Sequence, residues 1–430
     1  MILLFRYPIH NGLHKHGGGA LRPGTPHGMF TSVPTIAGKL RHRGYSTHIV
    51  GKWHLGFCKP DYLPMKRGFK HHFGFWNGAE DYYKHDVKQG YDFRQDMGVK
   101  RGISGVYSTT LFQNKAINII SHHNQSSPLF LFLPFQSVHV PLQVPKRFKE
   151  SYKNKVRNKD RATLLGMVTA MDHAVGEIIK ALKRNRMFKN TLIIFMSDNG
   201  APVHNSGSNW PLRGSKHTLF EGGTRVPAFV SGLGLKPRVE SRMFHITDWY
   251  PTILGAVDPL ENDEALDGVN QWEALKDANK PWPRSTILYN IDEITKKSPN
   301  PISAIRVHNW KYILKETGAW NGWYLPPEDK RSSHIEEGWD NLKWRDGKHK
   351  GWFPISNTNK TGRIKVEKLL FDLAKDPSEK INLAAKYPKK VLELEKKIRK
   401  LALTIKTVKA SKYRRNAGSP HNGVWTTGWC

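Results

Sequence analysis

The chain has 430 residues, of which 38% are hydrophobic and 11% aromatic, a composition that excludes an intrinsically disordered protein. Lysine and arginine total 68 against 36 acidic residues, which gives a formal net charge of +32. A field of this sign attracts anions, and the lack of helix-turn-helix, zinc-finger or RNP patterns argues against a specific nucleic-acid partner. An acidic polysaccharide partner and a basic surface without a specific partner are the two alternatives.

The two cysteines and the N-terminal residues say little about the compartment. Cys58 and Cys430 form no CxxC or zinc-binding pattern; a bridge between them is one possibility, but we expect two free thiols. The apolar residues 1–5 are too few for a signal-peptide core, and no run approaches the about 18 apolar residues of a membrane span. N-glycosylation acceptor sequences begin at Asn124 and Asn359, at a frequency that chance also supplies.

The first half of the chain alternates between helix and strand patterns. The predicted helices are residues 34–43, 106–122 and 162–183, and the predicted strands are residues 45–50, 128–135 and 191–196. The last two strands are continuous apolar runs, as expected for strands buried on both faces. The pattern therefore predicts an α/β fold with a largely parallel sheet covered by helices on both sides.

A second, smaller unit follows a polar connecting region at residues 260–285. Short alternating segments from Ser303 onward predict a small antiparallel sheet, and residues 391–408 predict an amphipathic helix with lysines opposite its apolar stripe. We therefore predict two domains, residues 1–285 and residues 300–430.

Three polar clusters each follow a predicted strand: residues 51–56, 136–141 and 197–200. In open α/β sheets, ligands bind beyond the carboxyl ends of the strands, so the three clusters are expected to share one crevice.

The first two clusters carry groups suited to anion binding and proton transfer. Lys52 and His54 are two residues apart, which places both side chains on one face if the strand continues. An ammonium beside an imidazole suits anion stabilisation with proton transfer, although a surface lysine and a hydrogen-bonded histidine explain the same pattern. His139 is a second candidate acid or base, with a structural histidine as the alternative.

The third cluster and the loop after it carry candidate metal and anion ligands. Asp198 and Asn199 offer one carboxylate and one amide oxygen, which suit Ca²⁺ or Mg²⁺, yet calcium takes about six to eight ligands. An Asp-Asn-Gly turn without a metal is the alternative. The Gly-rich residues 205–223 include Lys216 and can either hold an anion or serve as scaffold, because they show no Walker or GxGxxG pattern.

Six segments in order resemble the sulfatase family, and in particular its arylsulfatase B (N-acetylgalactosamine-4-sulfatase-like) branch. Residues 6–14 (RYPIHNGLH) resemble the stretch just after the family's nucleophile motif, and residues 51–56 (GKWHLG) resemble its second signature. The other matching segments are residues 137–145, 197–200, 209–216 and 423–425. The likeness extends over nearly the whole chain, and six motifs in order are far more specific than any one of them.

The resemblance implies an alkaline-phosphatase-like α/β domain with a small C-terminal sheet domain. It also implies that Lys52 steadies the nucleophile and the sulfate and that His54 accepts a proton from the hydrated aldehyde nucleophile. His139 and Lys216 would contact the sulfate and help the bridging oxygen leave. The implied substrates are aryl or amino-sugar sulfate esters, including glycosaminoglycan-type sugars, and the implied location of the family is lysosomal or secreted.

The metal site and the nucleophile depart from the family pattern. The resemblance assigns Asp198 and Asn199 to a calcium ion, but the first-strand aspartate pair that completes that site is missing, since the first acidic residue is Asp61. The family's nucleophile is a formylglycine made from the first residue of Cys/Ser-x-Pro-x-Arg, and no such pattern occurs; Cys58 is followed by Lys-Pro-Asp-Tyr. We interpret the chain as an N-terminally truncated sulfatase and expect no turnover of an aryl sulfate.

Two other hypotheses compete with this interpretation. One is a non-catalytic basic pseudoenzyme that binds sulfated glycans through the retained lysines, histidines and arginines. The other is a phosphatase or phosphodiesterase of the same superfamily, which a Thr or Ser nucleophile would favour.

Overall fold

The computed structural model describes residues 6–13, 21–258, 267–292, 302–316, 320–326, 368–406 and 418–430. The helices are α1 (Pro8–Asn11), α2 (Ile36–His42), α3 (Ser108–Ser121), α4 (Lys146–Glu150), α5 (Lys159–Arg184), α6 (Glu221–Thr224), α7 (Trp249–Val257), α8 (Trp272–Lys276) and α9 (Pro388–Ala402). The strands are β1 (Ser46–Lys52), β2 (His71–Phe75), β3 (Asp86–Val87), β4 (Gly90–Tyr91), β5 (Phe93–Gln95), β6 (Gly98–Val99), β7 (Leu129–Phe132), β8 (Ile193–Met196), β9 (Ala228–Ser231), β10 (Thr286–Ile291), β11 (Ser303–Val307), β12 (Trp310–Leu314) and β13 (Lys368–Asp372).

The main sheet has five strands in the order β6-β5-β2-β1-β7. Its centre is parallel, because β1 pairs in parallel with both β2 and β7, while β5 and β6 extend one side in antiparallel pairing. Successive residues of β1 face opposite cores: Ile49 packs with side chains of α2 and α7, and Val50 packs with Phe112 and Ile119 of α3. A sheet covered by helices on both faces was predicted and is confirmed.

The α2–β1 unit shows how local sequence builds this core. Thr35 caps α2 by accepting a hydrogen bond from the Gly38 amide at 3.0 Å, and Leu40 is among its buried side chains. Gly44, at φ +81°, adopts the left-handed conformation that favours glycine after a helix end, and the chain then enters β1. The predicted helix 34–43 and strand 45–50 correspond to α2 and β1.

Strands β7 and β8 differ from the prediction of strands buried on both faces. All four residues of each strand are only partly buried. Within the described ranges, β7 ends the five-stranded sheet, and β8 pairs only with β9, in antiparallel fashion, in a separate two-stranded sheet. Their apolar side chains pack on one side against α3 and α5, and an edge without a partner strand leaves the rest exposed.

Helix α5 belongs to the large unit, by which we mean the five-stranded sheet with the helices around it, and it packs with α3 and β7. Asn158 caps its N-terminus by accepting a hydrogen bond from the Arg161 amide at 2.8 Å. Of the described helices, it alone has the length and composition to cross a membrane. Ten of its 26 residues are buried inside the protein, as expected of a core helix.

The predicted small antiparallel sheet is confirmed, and its strand order is β10-β11-β12-β13. Helix α9 packs on it through Val391, Leu394 and Ile398, and the predicted helix end at residue 408 lies outside the described residues. Strand β10 begins at Thr286, between the two predicted domains, and α8 forms within the segment predicted as a connection.

The C-terminal residues return to the large unit and form a disulfide that corrects the expectation of two free thiols. Cys58 and Cys430 are bonded with their Cα atoms 5.4 Å apart, across 372 residues of sequence. Trp425 is buried, with its ring 5.7 Å from that of Phe57, and the Gly428 amide donates to the Cys58 carbonyl at 2.8 Å. The prediction was wrong because no local pattern reveals that the C-terminal tail docks beside Cys58.

Candidate active site

The first part of the site continues directly from the end of β1. The amide of Lys52, the last residue of β1, donates to the Pro134 carbonyl at 2.9 Å, and the His54 amide donates to the Trp76 carbonyl at 3.1 Å. Between them, the Trp53 ring is buried and its Nε1 donates to the Gly56 carbonyl at 3.0 Å. Two backbone hydrogen bonds and the buried ring between them thus fix the chain at Lys52 and His54.

Lys52 is electrostatically coupled to two residues that are distant in sequence. Burial lowers the pKa of its ammonium to about 8, the Asp198 carboxylate opposes this shift, and Lys216 adds to it. Asp198 and Lys216 therefore lie close enough to Lys52 for their charges to act on its ammonium.

His54 lies in the same electrostatic environment. Burial is the main cause that lowers its pKa to about 3, and the charges of Lys52, His139 and Lys216 lower it further. Its Nε2 donates to the Leu21 carbonyl at 2.8 Å, so the imidazole is neutral with its proton on Nε2. In this tautomer Nδ1, not Nε2, is the nitrogen that can accept a proton.

His139 follows β7 and is held in place through its own backbone and ring. Its carbonyl accepts a hydrogen bond from the Tyr82 hydroxyl at 2.9 Å, and its Nδ1 donates to the Val140 carbonyl at 2.8 Å. Burial lowers its pKa; Lys216 and Lys52 act in the same direction. The ring is therefore neutral and presents an unprotonated Nε2.

Asn209 joins the loop of Asp198 to the loop of Lys216. Its Oδ1 accepts from the Ala201 amide at 2.7 Å, and its Nδ2 donates to the Ala201 carbonyl at 2.8 Å and to the Gly214 carbonyl at 3.1 Å. The Lys216 amide also donates to the Ala201 carbonyl, at 3.2 Å. The sequence interpretation did not single out Asn209, whose only signal was its place at the start of the matching segment 209–216.

A close backbone approach holds the two loops together. The Gly200 amide donates to the Gly223 carbonyl at 3.0 Å, and a Cβ atom on Gly200 would lie 1.8 Å from the Gly222 carbonyl oxygen. Only glycine fits at position 200, so the end of the Asp-Asn-Gly turn is shaped for this contact.

The structure brings five of the six predicted side chains into one electrostatic group: Lys52, His54, His139, Asp198 and Lys216. The sixth, Asn199, adjoins Asp198 and its Nδ2 donates to the Gly200 carbonyl at 3.0 Å, which leaves its Oδ1 as the atom that can face a cation. Their individual roles remain predictions.

The candidate calcium ligands do not form a complete metal site. Among the residues that the structure describes, no group of three or more His, Cys, Asp or Glu side chains could hold a metal ion. Asp198 and Asn199 supply two oxygen atoms of suitable chemistry, whereas calcium takes about six to eight. The residues present do not fit a calcium ion on their own, and no chemical step here depends on one.

The group has the charge balance of an anion site. Two lysine ammonium groups and two neutral imidazoles share their surroundings with the single Asp198 carboxylate. In a partly enclosed site, ammonium groups stabilise negative charge far more strongly than they do in water. The arrangement is suited to a compact, multiply charged anion.

The sequence is similar to known proteins along its whole length. The sulfatase family model matches residues 2–259. Arylsulfatase J from Mus musculus is 35% identical over 446 aligned residues, which cover 98% of this chain and 70% of that protein. N-acetylgalactosamine-6-sulfatase from Mus musculus is 29% identical, with 63% of this chain and 54% of that protein covered, so the chain spans about half the length of that relative.

Solved structures show the same fold. The structure of Ps i-CgsB in complex with k-i-k-neocarrahexaose has a TM-score of 0.74 and 25% identity, covering 94% of this chain and 81% of that one. A protein solved with its substrate D-glucosamine-2-N,6-O-disulfate has a TM-score of 0.63 at 16% identity, covering 96% and 88%, a likeness of fold alone. From the family match and the relative at 35% identity, the chain belongs to the sulfatase family of sulfuric ester hydrolases.

Proposed function

We propose that this site binds a sulfate ester, with Lys52, His139 and Lys216 around the sulfate, and that it is the substrate site of a sulfatase whose nucleophile is not among these residues. The proposal rests on two backbone contacts, Lys52 with Pro134 after β7 and Lys216 with Ala201 after Asp198, and on the effect of Lys216 and Asp198 on the pKa values of Lys52 and His139. A sulfate ester reacts through a strongly anionic transition state, and ammonium groups fixed beside it offset that charge.

The protonation states favour a division of roles. His139 carries its proton on Nδ1, which donates to the Val140 carbonyl, so its Nε2 is a hydrogen-bond acceptor. The ammonium of Lys216 is then the group that can give a proton to the departing bridging oxygen. Lys52 steadies the sulfate, and His54, whose Nε2 proton is held by the Leu21 carbonyl, can accept a proton on Nδ1.

The proposed substrate is a sulfated sugar of the glycosaminoglycan type, with aryl sulfates as the simpler surrogate. Relatives named as N-acetylgalactosamine-6-sulfatases and the neighbour solved with neocarrahexaose support a sugar substrate. The net charge of +32 suits a polyanionic chain. Membership of the arylsulfatase B branch is part of the proposal.

We also propose that these 430 residues bind the ester without turning it over. They contain no Cys/Ser-x-Pro-x-Arg motif for a formylglycine nucleophile, and the described residues provide only Asp198 and Asn199 toward calcium. A nucleophile and further ligands from residues outside this sequence would complete the machinery. In the part of the chain that the structure describes, β7 ends its sheet and β8 pairs with β9 alone, so a further strand could pair at these edges.

The Cys58–Cys430 disulfide supports a lysosomal or secreted location, because structural disulfides persist in oxidising compartments.

The proposal is tested with 4-methylumbelliferyl sulfate and the corresponding phosphate. Calorimetry measures binding, and fluorescence measures release of the alcohol. We expect the sulfate ester to bind more tightly than the phosphate, without turnover, and binding to be lost in Lys216→Met. Failure to bind the sulfate ester, or a preference for the phosphate, would refute the sulfatase site. Turnover that disappears in His54→Ala would refute the proposed inactivity.

A non-catalytic sulfated-glycan binder is the second candidate, favoured by the same net charge of +32. Its signature is binding of a heparin-like polysaccharide that persists unchanged in the double variant Lys52→Met, Lys216→Met, while the small sulfate ester fails to bind.

A further inference from the structure

A buried ionic cluster connects the small sheet to the loop that carries Lys216, which consists of residues 206–220. The ammonium of Lys311, on β12, lies 2.8 Å from Oε1 of Glu221 and 2.9 Å from Oε1 of Glu379. All three side chains are at most 4% exposed. Glu221 begins α6, directly after the loop, whereas Glu379 follows β13 in the small unit. The Tyr289 hydroxyl of β10 donates to Glu221 Oε1 at 3.3 Å.

The same carboxylates and their neighbours fix the backbone of the loop. Oε2 of Glu379 accepts a hydrogen bond from the Glu221 amide at 2.6 Å. The carbonyl of Glu379 accepts another from Nη1 of Arg213 at 3.2 Å, and the guanidinium of Arg213 lies 3.9 Å from the centre of the Phe220 ring. Glu379 therefore contacts the loop near its middle, at Arg213, and directly after its end, at Glu221.

Two further contacts, from residues 316 and 322 after the small-sheet strand β12, hold the loop on either side of Lys216. The Gly214 amide donates to the Gly322 carbonyl at 2.7 Å, and the Leu219 amide donates to Oε2 of Glu316 at 2.5 Å. Lys216 lies between these two attachment points. Its loop is thus held on one side by the small unit and on the other by the Ala201 carbonyl of the Asp198 loop.

Burial of three charged side chains costs desolvation free energy, and a gain in stability alone does not explain it. Desolvation of buried charges offsets most of their mutual attraction, and apolar replacements of similar volume often give equal or greater stability. What an ionic cluster supplies is a defined geometry, because each carboxylate oxygen must meet a particular donor. A displacement of about 1 Å at a reacting group can lower the rate by about two orders of magnitude.

We propose that Lys311, Glu221 and Glu379 are positioning residues through which the small sheet sets the placement of Lys216 at the sulfate. The inference rests on the proposed function, since it takes Lys216 to contact the anion. None of the three residues touches the sulfate. Burial raises the pKa of Glu379 to about 7, with Lys311 opposing the shift, so the cluster depends closely on its ammonium.

The test measures inorganic sulfate affinity by calorimetry and thermal stability in the same samples. Glu379→Gln keeps the size and one acceptor of the side chain but removes the charge that faces Lys311. The triple variant Lys311→Met, Glu221→Gln, Glu379→Gln leaves no buried charge in the cluster. The matched control is Asp248→Asn, which disrupts the buried pair with Arg284, exposed 0% and 4%, outside the Lys216 loop.

We expect Glu379→Gln and the triple variant to bind sulfate about 10-fold more weakly, which corresponds to about 1.4 kcal/mol, while Asp248→Asn lowers the melting temperature at unchanged affinity. Unchanged sulfate affinity in Glu379→Gln and in the triple variant would overturn the proposal and leave the cluster a purely structural element.

Amide hydrogen exchange separates this inference from the proposed function. If the wild-type protein binds no sulfate, the proposed function fails, but exchange at Gly214, Leu219 and Glu221 still reports on the loop. Faster exchange at these amides in Glu379→Gln than in Asp248→Asn supports positioning by the cluster. Equal exchange in the two variants overturns it.

Discussion

Lys52 and Asp198 belong to the ends of strands in two different sheets, yet the Asp198 carboxylate raises the pKa of the Lys52 ammonium against the effect of burial. Lys52 ends β1 of the five-stranded sheet, and Asp198 follows β8 of the two-stranded sheet. The site therefore spans a division in the sheet structure. Its geometry therefore depends on how residues 197–216 are held against β1.

Sulfate binding should weaken as the pH rises through about 8, the pKa of Lys52. Below that pH the ammonium is charged and attracts the anion; above it the amine is neutral. Lys52→Arg keeps its charge throughout and should retain affinity at alkaline pH, if the guanidinium is accommodated. Calorimetric titrations of both proteins between about pH 6 and about pH 10 measure the sulfate affinity as a function of pH. The same alkaline loss in wild type and Lys52→Arg would exclude Lys52 as its cause.

Asn209→Ala should weaken both stability and sulfate binding. The substitution removes three hydrogen bonds that join the Ala201 and Gly214 backbones. The Ala201 carbonyl keeps the Lys216 amide as a donor, but the Ala201 amide loses the Asn209 oxygen, and a buried group left unpaired costs about 1–3 kcal/mol. Urea unfolding measures the free energy of unfolding, and calorimetry measures sulfate affinity. As a control, Asn190→Ala changes an asparagine in the segment before β8. An Asn209→Ala protein with normal sulfate affinity would show that the link between the loops does not shape the site.

His72→Leu should make the protein less sensitive to acid. Burial lowers the pKa of His72 from 6.5 to about 4, so the folded state resists protonation that the unfolded state accepts. Its contribution to stability is complete above pH 6.5 and is lost as the pH falls toward 4, by up to about 3 kcal/mol.

The measurement is the melting temperature of wild type and His72→Leu between about pH 8 and about pH 4. The difference at the alkaline end, where His72 is neutral in both states, serves as the internal reference. Parallel curves over the whole range would contradict the assigned role of His72.

Cys58→Ser should destabilise the protein and release the C-terminal tail. The bond closes a span of 372 residues, and loss of a native disulfide costs about 2–5 kcal/mol. Thermal unfolding measures the loss, and amide hydrogen exchange at Trp425 and Gly428, whose amides donate to Tyr91 and Cys58, reports the release of the tail. Chemical reduction of the wild-type protein should reproduce both effects. Detection of two free thiols in the native protein by mass spectrometry would refute the disulfide.

Local patterns were sufficient to predict several helices and strands, whereas the roles of the site residues stay predictions. The helix pattern of residues 34–43 corresponds to α2, and the alternation from Ser303 onward corresponds to the small antiparallel sheet that contains β11 and β12. The polar clusters at strand ends pointed to Lys52, His139 and Asp198, because the carboxyl ends of parallel strands meet at one edge.

Long-range pairing lay beyond such patterns. The antiparallel β8–β9 sheet, the Cys58–Cys430 bond and the Lys311–Glu379 ion pair join residues that no periodicity relates. An apolar run such as that of β8 predicts a strand with buried side chains. It does not indicate which strand pairs with it or whether the pairing is parallel or antiparallel. The contact of His54 with the Leu21 carbonyl is equally non-local.

The central claim, that Lys52, His139 and Lys216 surround one tetrahedral anion, is tested most directly by a crystal structure of the protein grown with sulfate. The account predicts a sulfate ion with its oxygens about 2.7–3.2 Å from Nζ of Lys52 and Nζ of Lys216, beside the His139 ring. Density that places these three side chains on separate faces of the protein, with sulfate bound only to surface lysines or arginines, would contradict it.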